Sequence, residues 1–164
     1  MQTEVIIALG SNRRHNRHGA PWRVVAAAID AIDARDIAVV RRSQIHATAP
    51  VGPSSRRFAN AVVVARTALS PPALLAALKD IERDFGRRRG RRWAARVLDL
   101  DIIAYDSVIL PSRPGWAMGR GLVIPHRALH QRRFVLDPLL EVAPGWRHPV
   151  LALTVRQLHT RSRR

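Results

Sequence analysis

The chain has 164 residues, no cysteine and a formal charge of +16. That length and an apolar fraction of 47% fit a single domain over 1–164 with an ordinary core. Disulfides and thiolate chemistry are excluded, and no apolar run is long enough to span a bilayer. The charge is almost all arginine, Lys79 being the only lysine, and it favours acidic partners such as nucleotides or nucleic acid. An Ala- and Arg-rich composition also follows from GC-rich coding, so charge alone decides nothing. The sequence enters a strand at once, with no secretory signal, and a cytoplasmic location is expected.

The first strand is Glu4–Leu9, ending at Gly10-Ser11-Asn12. A polar loop over Arg13–Ala20 leads to Pro21, which suits the first turn of a helix. That helix runs to about Ala34, with Val24, Val25, Ala28, Ile29 and Ile32 on one stripe. A second strand covers roughly Ile37–Ala47, and the turn-rich stretch Ala49–Arg57 connects it to a third, Phe58–Thr67. Ser70-Pro71 places a capping residue before a helix-starting proline. The second helix carries Leu74, Leu75, Leu78, Ile81 and Phe85 at helical spacing, and Gly86 stops it. The fourth strand follows an arginine-rich segment. Beyond it, Tyr105-Asp106-Ser107 turns into Val108–Leu110, a Pro/Gly/Arg loop spans about 111–121, and short helices occupy 127–141 and 154–160. This order is the split βαβ pattern of a ferredoxin-like βαββαβ sandwich of the α+β class. Its sheet is expected to be mainly antiparallel, with both helices on one face and the last sixty or so residues as a C-terminal extension.

The fourth strand carries the chemistry. Asp99 and Asp101 stand in an otherwise apolar run, Val97-Leu98-Asp99-Leu100-Asp101-Ile102-Ile103. Residues two apart on a strand share a face, so both carboxylates leave the sheet together. Unpaired carboxylates in such a strand are costly, so something positive must meet them. Mg²⁺, which favours one or two carboxylates plus substrate phosphates, is one such partner; neighbouring arginines are another. Seven arginines lie between Arg83 and Arg96. Guanidinium groups suit bidentate bonds to a polyphosphate. Together the two features point to a nucleoside-triphosphate site.

Four separated pieces recur in a fixed order: Ala8-Leu9-Gly10-Ser11-Asn12; Thr48-Ala49-Pro50-Val51-Gly52-Pro53 with Phe58-Ala59-Asn60; Gly86 to Arg96 leading into Asp99 and Asp101; and Ile124-Pro125-His126 with Arg132-Arg133-Phe134-Val135-Leu136-Asp137-Pro138-Leu139. This ordered set, over about residues 4–150, resembles the 6-hydroxymethyl-7,8-dihydropterin pyrophosphokinases of folate biosynthesis. The resemblance implies transfer of pyrophosphate from ATP to the pterin hydroxymethyl oxygen, with AMP released. It implies that Asp99 and Asp101 hold two Mg²⁺ ions. It further implies that Arg87 and Arg96 act on the transferred phosphates, and that Arg89 and Trp93 belong to a loop closing over the nucleotide. Thr48, Val51, Phe58, Asn60 and Phe134 match the pterin pocket, and Glu82, His126 and Arg132 match positions near ATP.

Each residue has a plainer reading beside this one. Phe58 and Phe134 are core residues in most chains, Asn60 a turn residue, and Glu82 a surface helix glutamate. Gly10 and Asn12 shape a strand-end turn as readily as they touch a ligand. His15 and His18 have no third ligand in view for zinc, and His130, His148 and His159 read as surface or packing residues. Three features depart from the family: Ala94-Ala95 where it has Gly-Pro, Arg127 after the Pro-His pair, and a longer loop over 111–121. They leave open a divergent relative acting on another pterin. A nucleic-acid-binding ferredoxin-like module is a further alternative, weakened by an aromatic content of 5%. The partners implied are ATP and the pterin, without membrane or nucleic acid, on a monomer.

Overall fold

β1 (Thr3–Ser11) is apolar on both sides and forms the spine of the fold. Val5, Ile7 and Leu9 enter one core while Ile6 and Ala8 enter a second. In this computed structural model, which describes residues 1–48, 57–86 and 97–162, β1 lies between β4 (Phe58–Thr67) and β5 (Asp99–Tyr105). β2 (Ile37–Arg42) flanks β4, and the short β3 (His46–Thr48) runs on beside it. Every pairing is antiparallel. This is the expected α+β ferredoxin-like sheet.

α1 (Pro21–Asp33) and α2 (Pro71–Asp84) cover the first face, burying Val24, Val25, Ile32, Leu74, Leu78 and Ile81 against Val5, Ile7 and Val63. Gly86, at φ +93, ends α2 with its N–H on the Arg83 carbonyl. Ser70 sits at the N-cap position without a side-chain cap bond. Pro71 and Pro72 follow it, so two of the N–H groups that a cap would serve are missing.

The structure differs from expectation in three places. The second strand breaks at Ser43, because Ser43 Oγ accepts the Val62 N–H at 3.0 Å and Glu141 takes the Gln44 N–H at 2.8 Å. Side chains there replace part of the ladder, with the Ser43 N–H still on the Val62 carbonyl at 2.9 Å. Val108–Leu110 reduces to one bridge between Leu110 and Ile124. The extension is no mere appendage: α3 (Arg133–Val142) and α4 (Val155–Arg161) cover the second face of the sheet with Val135, Leu136, Leu139 and Leu158 over Ile6, Val62 and Val64. Strands apolar on both faces need a layer on each side. The same layer occupies the face an RNA-recognition domain keeps open for bases.

The extension also buries a histidine. His148 is fully buried, with Trp116 and Trp146 at ring-centroid distances of 5.2 and 5.7 Å. Its Nδ1 accepts the Val150 and Leu151 N–H groups, both at 3.2 Å. Burial, with nearby His130 adding to it, pushes the pKa down to about 4. The unfolded imidazole titrates near 6.5, so this group's stabilisation is complete above that pH and is lost as pH falls towards 4. Urea midpoints are expected to drop across that window. His148→Asn, which keeps an acceptor near Nδ1, should remove up to about 3 kcal/mol of the pH dependence.

Candidate active site

Leu98, Leu100 and Ile102 point into the core beneath α1 and α2, so Asp99 and Asp101 emerge together on the opposite face of β5. Both are half-buried. Register then joins them to the pieces expected on other strands. Gly10 of β1 stands opposite Asp99 on one side and Asn60 of β4 on the other. Directly opposed residues share a face, so Asn60, Gly10 and Asp99 form one row across three strands. The two ends of that row are separated by two strand spacings, roughly 10 Å. Gly10 keeps the row open: a Cβ there would lie 3.1 Å from Asn60 Oδ1. Phe58, two residues before Asn60, opens onto the same face and pairs with Thr48 at the end of β3.

The second-face layer contributes the rest. His126 is fixed to β5 by its N–H on the Ile103 carbonyl at 2.9 Å. Its Nδ1 accepts the Ala128 N–H, which leaves Nε2 to face Asp101 Oδ2 at 4.0 Å. Burial pulls the His126 pKa below its ordinary value. Asp101 pulls the other way, Arg132 adds to the lowering, and Asp99 and Arg127 act more weakly in opposite senses. Arg132 NH1 lies 3.8 Å from the same Asp101 oxygen, and its guanidinium stands 5.7 Å from the Phe134 ring centroid. One arginine therefore spans the carboxylate side and the aromatic side.

Asp101 is not consumed by internal pairing. Arg132 and His126 stand 3.8 and 4.0 Å from it, beyond hydrogen-bond length, and no described side chain hydrogen-bonds to it. Among the described residues no group of three His, Cys, Asp or Glu side chains could hold a metal. Two carboxylates and no closed cage is the donor set that suits Mg²⁺ bound along with phosphates, and it does not suit structural zinc.

Phe58 and Phe134 are 41% and 47% exposed, whereas the third phenylalanine, Phe85, is buried. Exposure of two large rings beside this row sets aside the reading of them as core. Asn12, at the end of β1, has a buried Oδ1 without a hydrogen-bond partner. Glu82 stands apart from the row. Its side chain is fully buried and accepts the Leu100 N–H at 2.8 Å and the Lys79 ammonium at 2.7 Å. Val51, Arg87, Arg89, Trp93 and Arg96 lie outside the described residues, as do Ala94 and Ala95.

Sequence reasoning passed over two features here. Lys79 gave no motif, and its role appears only through Glu82. His15 and His18 were set aside as metal ligands, yet their rings pack on Phe85 at 5.9 and 5.1 Å, next to Gly86.

An antiparallel α+β sheet whose edge strand presents two carboxylates, faced by an arginine and a histidine, defines the class: a ferredoxin-like protein with acidic and basic groups gathered on one face of its sheet. Residues 6–144 match the model of the 7,8-dihydro-6-hydroxymethylpterin-pyrophosphokinase (HPPK) family, and the chain belongs to that family. It is 41% identical over 142 residues to the mitochondrial folate synthesis bifunctional protein of Arabidopsis thaliana, covering 85% of this chain and 23% of that protein. It is 38% identical over 144 residues to the 2-amino-4-hydroxy-6-hydroxymethyldihydropteridine pyrophosphokinase of Methylorubrum extorquens, covering 87% of this chain and 84% of that one. The crystal structure of wild-type Plasmodium falciparum HPPK-DHPS with pteroate superposes with a TM-score of 0.72 at 15% identity, over 98% of this chain and 42% of that one. At that identity the superposition speaks for the fold. Among the described residues no helix is long and apolar enough to cross a membrane.

Proposed function

We propose that this protein transfers the terminal pyrophosphoryl group of ATP to the hydroxymethyl oxygen of 6-hydroxymethyl-7,8-dihydropterin, releasing AMP, in the synthesis of folate. The observation that carries the reading is the row Asn60–Gly10–Asp99, which together with Asp101 two residues on sets an amide and two carboxylates on one face of the sheet, with Phe58 and Phe134 exposed. An amide offers a donor and an acceptor together, as the edge of a pterin requires. Phe58 and Phe134 stack on its flat ring, and Thr48, Val51 and Asn60 line its edge.

Asp99 and Asp101 would hold two Mg²⁺ ions together with ATP, and ions held there would supply positive charge to offset the negative charge of the triphosphate and of the attacked β-phosphorus. Arg132 and His126 meet phosphate oxygens from the other side, Arg132 by a charge-assisted bond and His126 through its Nε2–H. Arg87 and Arg96 stabilise the transferring group, while Arg89 and Trp93 cover the nucleotide and exclude water, a competing acceptor. The pterin oxygen forms its bond to the β-phosphorus as the bond from that phosphorus to the α-phosphate oxygen breaks. AMP carries away the electron pair. Catalysis of this kind is chiefly placement and electrostatics, so the chain needs no separate strong base. The protein works as a monomer in the cytoplasm.

The test is a product assay with ATP, Mg²⁺ and the pterin. AMP and the pterin diphosphate are the expected products. ADP would mean single-phosphate transfer and overturn the reading, and pterin binding without turnover would mark a relative that has lost the chemistry.

A further inference from the structure

Lys79 is the only lysine of a chain otherwise supplied with arginine, and the structure gives it a particular task. β5 is the edge of the sheet, with β1 on one side only. Leu100, between the two aspartates, directs its N–H to Glu82 Oε1 at 2.8 Å, and its carbonyl lies 3.5 Å from Lys79 Nζ. Lys79 and Glu82 are themselves joined at 2.7 Å, one turn apart on α2. The two side chains thus grip both the N–H and the C=O of one residue on the unpaired side of an edge strand. The Glu82 side chain has no exposed surface, whereas that of Lys79 is 36% exposed.

We infer that Lys79 and Glu82 are positioning residues for the proposed carboxylate pair, holding Leu100 so that Asp99 and Asp101 keep the spacing and direction a divalent cation requires. This rests on the proposed function for its catalytic consequence, though not for the geometry. Edge strands are the least constrained strands of a sheet, because half of their backbone groups lack a ladder. A site of this kind tolerates errors of only about 0.5 Å, and a misplacement of about 1 Å can cost about 100-fold in rate. An ordinary edge would leave the aspartates on a strand laddered on one side only. The clamp removes that freedom from the side of α2. It also couples the metal strand to the end of α2, since Glu82 lies four residues before Gly86 and the arginine segment. A buried carboxylate suits the task because its acceptor is fixed by burial and the Lys79 ammonium lies 2.7 Å from it. Arginine's broad planar fork is a poorer fit to a lone carboxylate oxygen and a carbonyl on one edge.

The test compares Glu82→Leu, Glu82→Gln and Lys79→Met with the unaltered protein. Three properties are read: exchange of the Leu100 amide relative to the Val63 amide in central β4, Mn²⁺ binding followed by water-proton relaxation, and AMP release against Mg²⁺ concentration. Glu82→Leu is expected to speed Leu100 exchange selectively by about 10-fold or more and to weaken Mn²⁺ binding by about 10-fold. It should also lower kcat by about 10- to 100-fold, with the pterin dissociation constant unchanged within about two-fold. Glu82→Gln, which keeps an acceptor for the Leu100 N–H, should restore Mn²⁺ binding to within about three-fold. If Glu82→Leu does not fold, Lys79→Met carries the test, with a loss of Mn²⁺ affinity of about three-fold in the same direction. Unchanged Mn²⁺ affinity in folded Glu82→Leu or, where that variant does not fold, in Lys79→Met would overturn the inference. So would parallel losses of pterin and metal binding, which mark general destabilisation. Absence of AMP from the unaltered protein would remove the proposed function, while amide exchange and Mn²⁺ binding would still decide the clamp.

Discussion

The Asp101→Ala variant is expected to release AMP about 10³-fold more slowly than the unaltered protein, with pterin affinity held within about two-fold. The expectation follows from how little else Asp101 does. Among the described residues Arg132 and His126 stand 3.8 and 4.0 Å from it, and no described side chain hydrogen-bonds to its carboxylate. Removing it therefore leaves no buried group without a partner, which is the usual source of a large stability loss. Arg132 and His126 are partly exposed and remain hydrated. Melting temperature should stay close to that of the unaltered protein. The rate should fall because one of two anchors for the metal-bound triphosphate is gone, and the remaining carboxylate fixes neither orientation nor charge alone. Asp101→Asn sharpens the point, since it preserves shape and removes charge, and its rate should stay within about ten-fold of the alanine variant's. Chromatography of nucleotides over time gives the rate, and fluorescence titration gives the affinity. An Asp101→Ala enzyme with normal turnover would end the assignment of this carboxylate to metal.

Much of this architecture was legible in the sequence because periodicity and burial agree. The stripe on α1 and the alternation through Asp99 and Asp101 reappear as buried and emergent faces. The split of the second strand was hidden because its cause is remote: Glu141, 97 residues away, takes the Gln44 N–H. The second-face layer was hidden for a related reason. Strands such as Ile6-Ile7-Ala8 reveal that both faces are buried, but not which segment does the covering. Within the site, residue type and order pointed to Asp99, Asn60, His126 and Arg132, and register brings the first two into one row. Lys79 carried no reading, and Glu82 was matched to a position near ATP rather than to the Leu100 contact. Their importance lies in a backbone contact, and backbone partners leave no signature in residue type.

The double variant Phe58→Ala/Phe134→Ala is expected to raise the pterin dissociation constant by about 10²- to 10³-fold, from about 1–3 kcal/mol for each stacked ring. Folding stability should barely change. Truncating a large aromatic side chain is among the most destabilising substitutions when the ring is buried, through the cavity it leaves. Here the rings are 41% and 47% exposed, so little cavity can form. Stability and affinity are thus expected to part company. Each single variant should show a smaller loss, and Phe134→Ala should have a second effect that Phe58→Ala lacks. Arg132 stands over the Phe134 ring at 5.7 Å and lies 3.8 Å from Asp101. Removing the ring frees that guanidinium, so the apparent affinity for ATP should also weaken by about two- to five-fold. Phe134→Leu should keep most of the stability and little of the stacking, because an aliphatic side chain presents no flat face to a planar heterocycle. Pterin titration beside thermal melting separates the cases. A fall in melting temperature with pterin affinity intact would return both rings to the core and remove the pterin from this face.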